Sequence, residues 1–222
     1  MRDFPFQIVG FDLDGTLLDT HEDLGAAVNH ALSLLGRAPV PVGQVRDLIG
    51  GGAKKMLERA LMLTGGVPEA EFAGLFQELL HYYEAHIAVH TRLYPGGEAM
   101  LDALAARGVK LAVATNKVES LAVKLLDELG LSSRFATIIG GDTLGPGRAK
   151  PARDMIDTMV ERLGGGRAAF VGDTTYDIQA ARAAGVPSVA VRFGFNDLPV
   201  EELGAGAVID HYDGLIPALL LL

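Results

Sequence analysis

Apolar positions along this chain follow two different spacings. Near the start, Phe6-Gln7-Ile8-Val9 is a short run that reads as a buried strand. After it the spacing turns helical. Leu24, Val28, Ala31, Leu32 and Leu35 fall on one face at intervals of three and four. Thr20 with Asp23 offers a capping pair at the start of this helix, and Gly36 and Pro39 end it. A second helix is expected over 53–63, stopped by Gly65-Gly66. A third follows Pro68, with Phe72, Leu75, Phe76, Leu79, Tyr83 and Ile87 as its stripe. No strand signal appears between residues 20 and 91, so this stretch reads as an all-helical insertion.

At Tyr94-Pro95-Gly96-Gly97 the pattern changes to alternation. Strands are expected at 109–114, 136–139, 168–171, 187–191 and 207–209. Between them lie helices marked by Met100, Leu101 and Leu104, by Leu121, Leu125 and Leu126, by Met155, Ile156 and Met159, and by the Ala-rich run 178–184. Such alternation predicts an α/β fold, a Rossmann-like parallel sheet with helices on both faces. The expected organisation is a core of residues 1–19 and 92–222, with a small all-helical domain, 20–91, inserted after the first strand.

The chain has 222 residues, 49% hydrophobic, which is ample for one α/β domain and a smaller second one. Its net charge of −9 argues against nucleic acid as a partner. Phosphate binding stays open, because a metal and a few local cations override the global field. With no cysteine, disulfide and thiolate chemistry are excluded. The N-terminus lacks the progression of a signal peptide, and the longest apolar stretch, around Leu219–Leu222, is too short to span a bilayer. A soluble, cytoplasmic protein is expected.

Ligands of open parallel sheets bind beyond the carboxyl ends of the strands. The first strand delivers Asp12 and Asp14, two carboxylates that would repel each other without a cation between them, and Gly15 lets the backbone turn after them. A carboxylate in such a place can act as a nucleophile, and its neighbour can carry a proton. The strand at 109–114 delivers Thr115 and Asn116, and the strand at 168–171 delivers Asp173 and Asp177. Lys150-Pro151 is expected to open a helix between them. Each residue alone has a plainer explanation: a turn, a helix cap, a solvated lysine. Their joint order at successive strand ends points to one site.

The string Asp12-Leu13-Asp14-Gly15-Thr16-Leu17-Leu18-Asp19-Thr20 resembles the first motif of the haloacid dehalogenase superfamily of phosphohydrolases, and the later groups match the order of its other motifs. The resemblance covers nearly the whole chain, with 20–91 in the place of a cap domain. It implies Asp12 as nucleophile and Asp14 as general acid/base. It implies Mg²⁺ held by the Asp12 carboxylate, the Asp14 backbone carbonyl and Asp173. Thr115 and Asn116 would bind phosphoryl oxygens, Lys150 would neutralise charge at Asp12, and Asp177 would orient metal water or Lys150. With Asp14 present, dehalogenase chemistry is disfavoured, and so is imine chemistry at Lys54 or Lys55.

Within the superfamily, Val45-Arg46-Asp47-Leu48-Ile49-Gly50-Gly51-Gly52-Ala53 and Thr115-Asn116-Lys117 resemble phosphoglycolate phosphatases, whereas Arg153 departs from a proline that family often carries. The resemblance implies 2-phosphoglycolate as substrate, with the loop Gly50-Gly51-Gly52 and Arg46 receiving the leaving group's carboxylate. The alternatives are a phosphatase of the same superfamily with another substrate, a β-phosphoglucomutase-type sugar phosphomutase, which would need a basic cap, and a non-catalytic binding protein, which would have lost one of the acids. His86 and His90, four apart on a predicted helix, are either metal ligands or a solvated face. Oligomeric state is left open.

Overall fold

The structure is a computed structural model that describes residues 4–222; the first three residues, where the N-terminal readings begin, lie outside the described residues. Six strands form one parallel sheet: β1 (Ile8–Phe11), then β4 (Lys110–Ala114), β5 (Thr137–Ile139), β6 (Ala168–Gly172), β7 (Ser188–Val191) and β8 (Ala207–Ile209). Their spatial order is β5-β4-β1-β6-β7-β8. The missing numbers, β2 (Leu18–Asp19) and β3 (Arg92–Leu93), are a separate antiparallel pair. The chain returns to opposite sides of β1 when it adds β4 and β6, so the strand order reverses there and a crevice opens at their carboxyl ends.

Successive side chains of a strand point to opposite faces, and both faces of this sheet are covered. Val9 and Phe11 pack with Leu101, Leu104, Leu121 and Leu125 on one side. Those leucines belong to α5 (Gly97–Ala105) and α6 (Glu119–Glu128), and α9 (Leu215–Leu219) joins the same face. Ile8 packs with Ile156, Met159 and Ala181 on the other side, from α7 (Asp154–Arg162) and α8 (Thr175–Ala183). The predicted fold class is therefore the one observed. Among the described residues no helix is long and apolar enough to cross a membrane.

Between β2 and β3 the chain is helical: α1 (His21–Leu34), α2 (Val42–Val45), α3 (Ala53–Leu63) and α4 (Phe72–Ala85). Leu24, Val28 and Leu32 of α1 bury against the cluster that also holds Leu75, Leu79 and Tyr83 of α4. Three local expectations need correction. Thr20 stands at the start of α1 without capping it, because Asp23 turns away to accept the N–H groups of His90 and Thr91 and the Thr91 hydroxyl. Lys150-Pro151 lies in a turn, and α7 begins only at Asp154. His86 ends α4 and His90 lies beyond it, so the two share no helix face.

Candidate active site

The crevice above β1, β4 and β6 holds a cavity of about 210 Å³. Asp12 leaves β1 at its floor, with its N–H donating to the Val171 carbonyl. The chain must then turn sharply. Gly15 takes φ +82°, and a Cβ there would stand 2.3 Å from an oxygen of Asp173, so glycine is required both for the turn and for the approach of the two acid loops. Thr16 then faces Asp173, its hydroxyl donating to Oδ1 at 2.9 Å. The other Asp173 oxygen accepts the Phe195 N–H at 2.7 Å.

Lys150 is buried and lies between two acids. Its Nζ donates to Asp177 Oδ1 at 2.5 Å and stands 2.9 Å from Asp12 Oδ1. The second contact is an ion pair that holds the Asp12 carboxylate against the ammonium. Burial works against the ammonium, yet Asp12 and Asp177 outweigh it and raise its pKa. Asp177 spends its remaining oxygen on the N–H groups of Asp173 and Thr174 and on the Thr174 hydroxyl, forming a capping box that starts α8. It is thus fixed behind Lys150 and beneath the Asp173 backbone.

Asp12 is raised from 3.8 to about 6: burial disfavours its charge, Lys150 opposes that, and Asp177 and Asp14 add repulsion. Asp173 shifts upward in the same way, through burial and then its acidic neighbours Asp177 and Asp12. Oxygens of Asp12, Asp173 and Asp177 lie within 4.8 Å of one another. Two carboxylates driven upward by burial and then by their acidic neighbours are what a hard divalent cation would relieve. The donor set is all oxygen, and the Asp14 main-chain carbonyl accepts no hydrogen bond among the described residues. Asp12, Asp173 and that carbonyl can hold such an ion. Asp177 is committed to Lys150 and the Asp173 loop.

The structure brings Asp12, Asp14, Thr115, Asn116, Lys150, Asp173 and Asp177 to this one cavity, together with Gly50, Gly51 and Gly52. Details differ from the sequence reading. The Asn116 side-chain amide donates to the Lys150 carbonyl at 2.9 Å, so its NH₂ ties two loops together instead of facing a ligand. Arg46 is not among the residues lining the cavity. Its guanidinium pairs with Asp19 at 2.8 Å and lies over the Phe195 ring, where it braces β2. Lys55 donates to the Tyr176 hydroxyl at 3.0 Å, which leaves Lys54 as the cavity's cation from α3.

Three contributors have no assigned role in the sequence reading. Lys117 is buried and donates to both oxygens of Asp14, at 2.9 and 3.0 Å. Tyr83 reaches the same place from α4, its ring centroid 4.5 Å from the Lys117 ammonium. Arg59 donates to the carbonyls of Leu48, Ile49 and Gly50 and so shapes the glycine loop. Only Lys117 carries a local signal, its place directly after Thr115-Asn116; the other two depend on tertiary packing.

An acid pair at a strand exit, a buried lysine and a third acid with room for a divalent cation define an enzyme of phosphoryl chemistry on an α/β scaffold. Comparison with known proteins agrees. The family model described as haloacid dehalogenase-like hydrolase matches residues 9–191. The chain is 45% identical to a phosphoglycolate phosphatase of Agrobacterium fabrum over 94% of its own length and 90% of the relative's. It is 40% identical to a phosphoglycolate phosphatase of Caulobacter vibrioides, over 96% and 90%. A crystal structure of a phosphoglycolate phosphatase predicted in Haemophilus somnus superposes with a TM-score of 0.89 at 29% identity, covering 96% of this chain and 97% of that one. This chain belongs to the haloacid dehalogenase-like hydrolase family and is an enzyme of the phosphoric monoester hydrolase class, similar to phosphoglycolate phosphatases.

Proposed function

We propose that this enzyme is a Mg²⁺-dependent phosphatase that hydrolyses 2-phosphoglycolate through an aspartyl-phosphate on Asp12. The observation that carries the reading is the Asp12 carboxylate, held 2.9 Å from the buried Lys150 ammonium in the cavity it shares with Asp14 and Asp173. In the first half-reaction an Asp12 oxygen attacks phosphorus and the bond from phosphorus to the ester oxygen breaks. That oxygen takes the electron pair and a proton from Asp14. In the second, Asp14 takes a proton from water, whose oxygen attacks phosphorus. The bond to Asp12 breaks, releasing phosphate and restoring the carboxylate.

Lys150 stabilises the ionised Asp12 and the charge on the phosphoryl oxygens. The Thr115 hydroxyl is the side-chain donor at the end of β4. Asp12, Asp173 and the Asp14 carbonyl would hold Mg²⁺, which would supply further positive charge to the phosphoryl group.

The substrate assignment rests on the relatives' names and on size. The cavity, about 210 Å³, is below the ~300–1,000 Å³ of drug-sized pockets and suits a two-carbon acid. A sugar phosphomutase needs a cap rich in free cations, and Arg46 and Lys55 are both engaged elsewhere. In this reading residues 20–91 act as a cap domain over the core of 1–19 and 92–222. Initial rates on a panel of phosphomonoesters, with Mg²⁺ and with EDTA, test it. The expected result is highest kcat/KM on 2-phosphoglycolate and loss of activity with EDTA; a hexose phosphate or bisphosphate preferred over 2-phosphoglycolate would overturn the substrate.

A further inference from the structure

Tyr83 is fully buried on the α4 side of the cavity, and its hydroxyl donates to no acceptor. Burial pushes the phenol up to about 12, with nearby Lys117 opposing, so it stays an O–H donor. A buried hydroxyl whose hydrogen has no acceptor is unfavourable, and an acceptor in the cavity would remove that cost. Beside it lies Lys117, whose ammonium has three N–H groups, donates to the Asp14 carboxylate and stands 4.5 Å from the centre of the Tyr83 ring. Leu24, Leu79 and Leu121 line the same cavity. One neutral donor and one cation therefore converge beside the acid that serves the leaving oxygen. On 2-phosphoglycolate the carboxylate lies one methylene from that oxygen.

We propose that Tyr83 and Lys117 together form the seat for the leaving group's carboxylate, in place of Arg46. The inference rests on the phosphatase reading and adds the residues that select the substrate. Lys117 sits on the core beside Asp14 and Tyr83 on α4, so the carboxylate is grasped from both sides of the cavity. Arg46 cannot share the task while it braces β2 through Asp19.

The test compares 2-phosphoglycolate with 2-hydroxyethyl phosphate, an ester of the same length without the carboxylate. The readout is the ratio of their kcat/KM values, in which any general loss of folding or catalysis cancels. Tyr83→Phe keeps the ring and removes the donor. It should lower the ratio about tenfold, mainly through KM for 2-phosphoglycolate, as a hydrogen bond to a charged group would. Lys117→Met should lower it at least as far, and Lys54→Ala less than twofold. A ratio unchanged in Tyr83→Phe, or collapsed in Lys54→Ala alone, overturns the seat. A wild-type enzyme active on both esters with a ratio near one overturns the seat and leaves the phosphatase reading intact; one inactive on both overturns the two together.

Discussion

Asp14 and Asp12 lie two positions apart, yet their surroundings give them different work. Asp12 faces the Lys150 ammonium at 2.9 Å. Both oxygens of Asp14 are held by Lys117. If Asp14 protonates the leaving oxygen, Asp14→Asn should cost alkyl phosphates at least tenfold more than aryl phosphates, whose leaving groups need little proton donation. Equal losses on the two ester classes would remove the acid role. At this scale the sequence was legible where chemistry is concentrated in a few neighbouring residues: the acid pair and the Asp173 loop are local strings. Lys117 and Tyr83 were not, because their meaning depends on a contact between residues far apart in sequence. The pairing of Arg46 with Asp19 was hidden for the same reason, the two residues being on different elements.

Among the elements, the joint between sheet and helical segment is made by Asp23. From the first turn of α1 it accepts the N–H of His90 at 3.0 Å and those of Thr91 at 2.8 Å (N–H) and 2.7 Å (hydroxyl). It thereby ties the chain's entry into the helices to its exit. Asp23→Ala would strip these buried donors of their acceptor, and roughly 3 kcal/mol or more of stability should go with it. A urea midpoint lowered with the slope unchanged is the expected signature; an unaltered midpoint would show that the joint holds without it. Arg46→Ala removes a half-exposed ion pair, worth about 1 kcal/mol or less, and should reduce activity on charged and uncharged substrates alike. Selective loss on 2-phosphoglycolate would return Arg46 to the carboxylate. The longer helices were readable from their period and the central strands from their apolar runs, whereas α2 and α9, four and five residues long, were not. The two-residue strands β2 and β3 are too short to carry a period, and Pro151 marks a turn that local pattern could not separate from a helix start.

For the whole molecule, crowded acids make stability depend on pH and on metal. The Asp12 pKa is raised from 3.8 to about 6, so the metal-free folded protein binds a proton that the unfolded chain releases. Its contribution is fully present below about pH 4 and is lost as pH rises through about 6. Asp173 shifts in the same direction. A divalent cation compensates ionised carboxylates only, so Mg²⁺ should raise the melting temperature far more at pH 7.5 than at pH 5. The same gain at both values would contradict a metal seated on these acids.

The central claim is that phosphorus passes through Asp12. The most direct measurement is rapid acid quenching of the enzyme during turnover of phosphorus-labelled 2-phosphoglycolate, followed by mapping of the label. The account predicts label on the peptide containing Asp12, appearing before free phosphate reaches its steady rate, and no label or turnover in Asp12→Asn. Steady turnover with no labelled protein, together with an Asp12→Asn enzyme that keeps its rate, would contradict it.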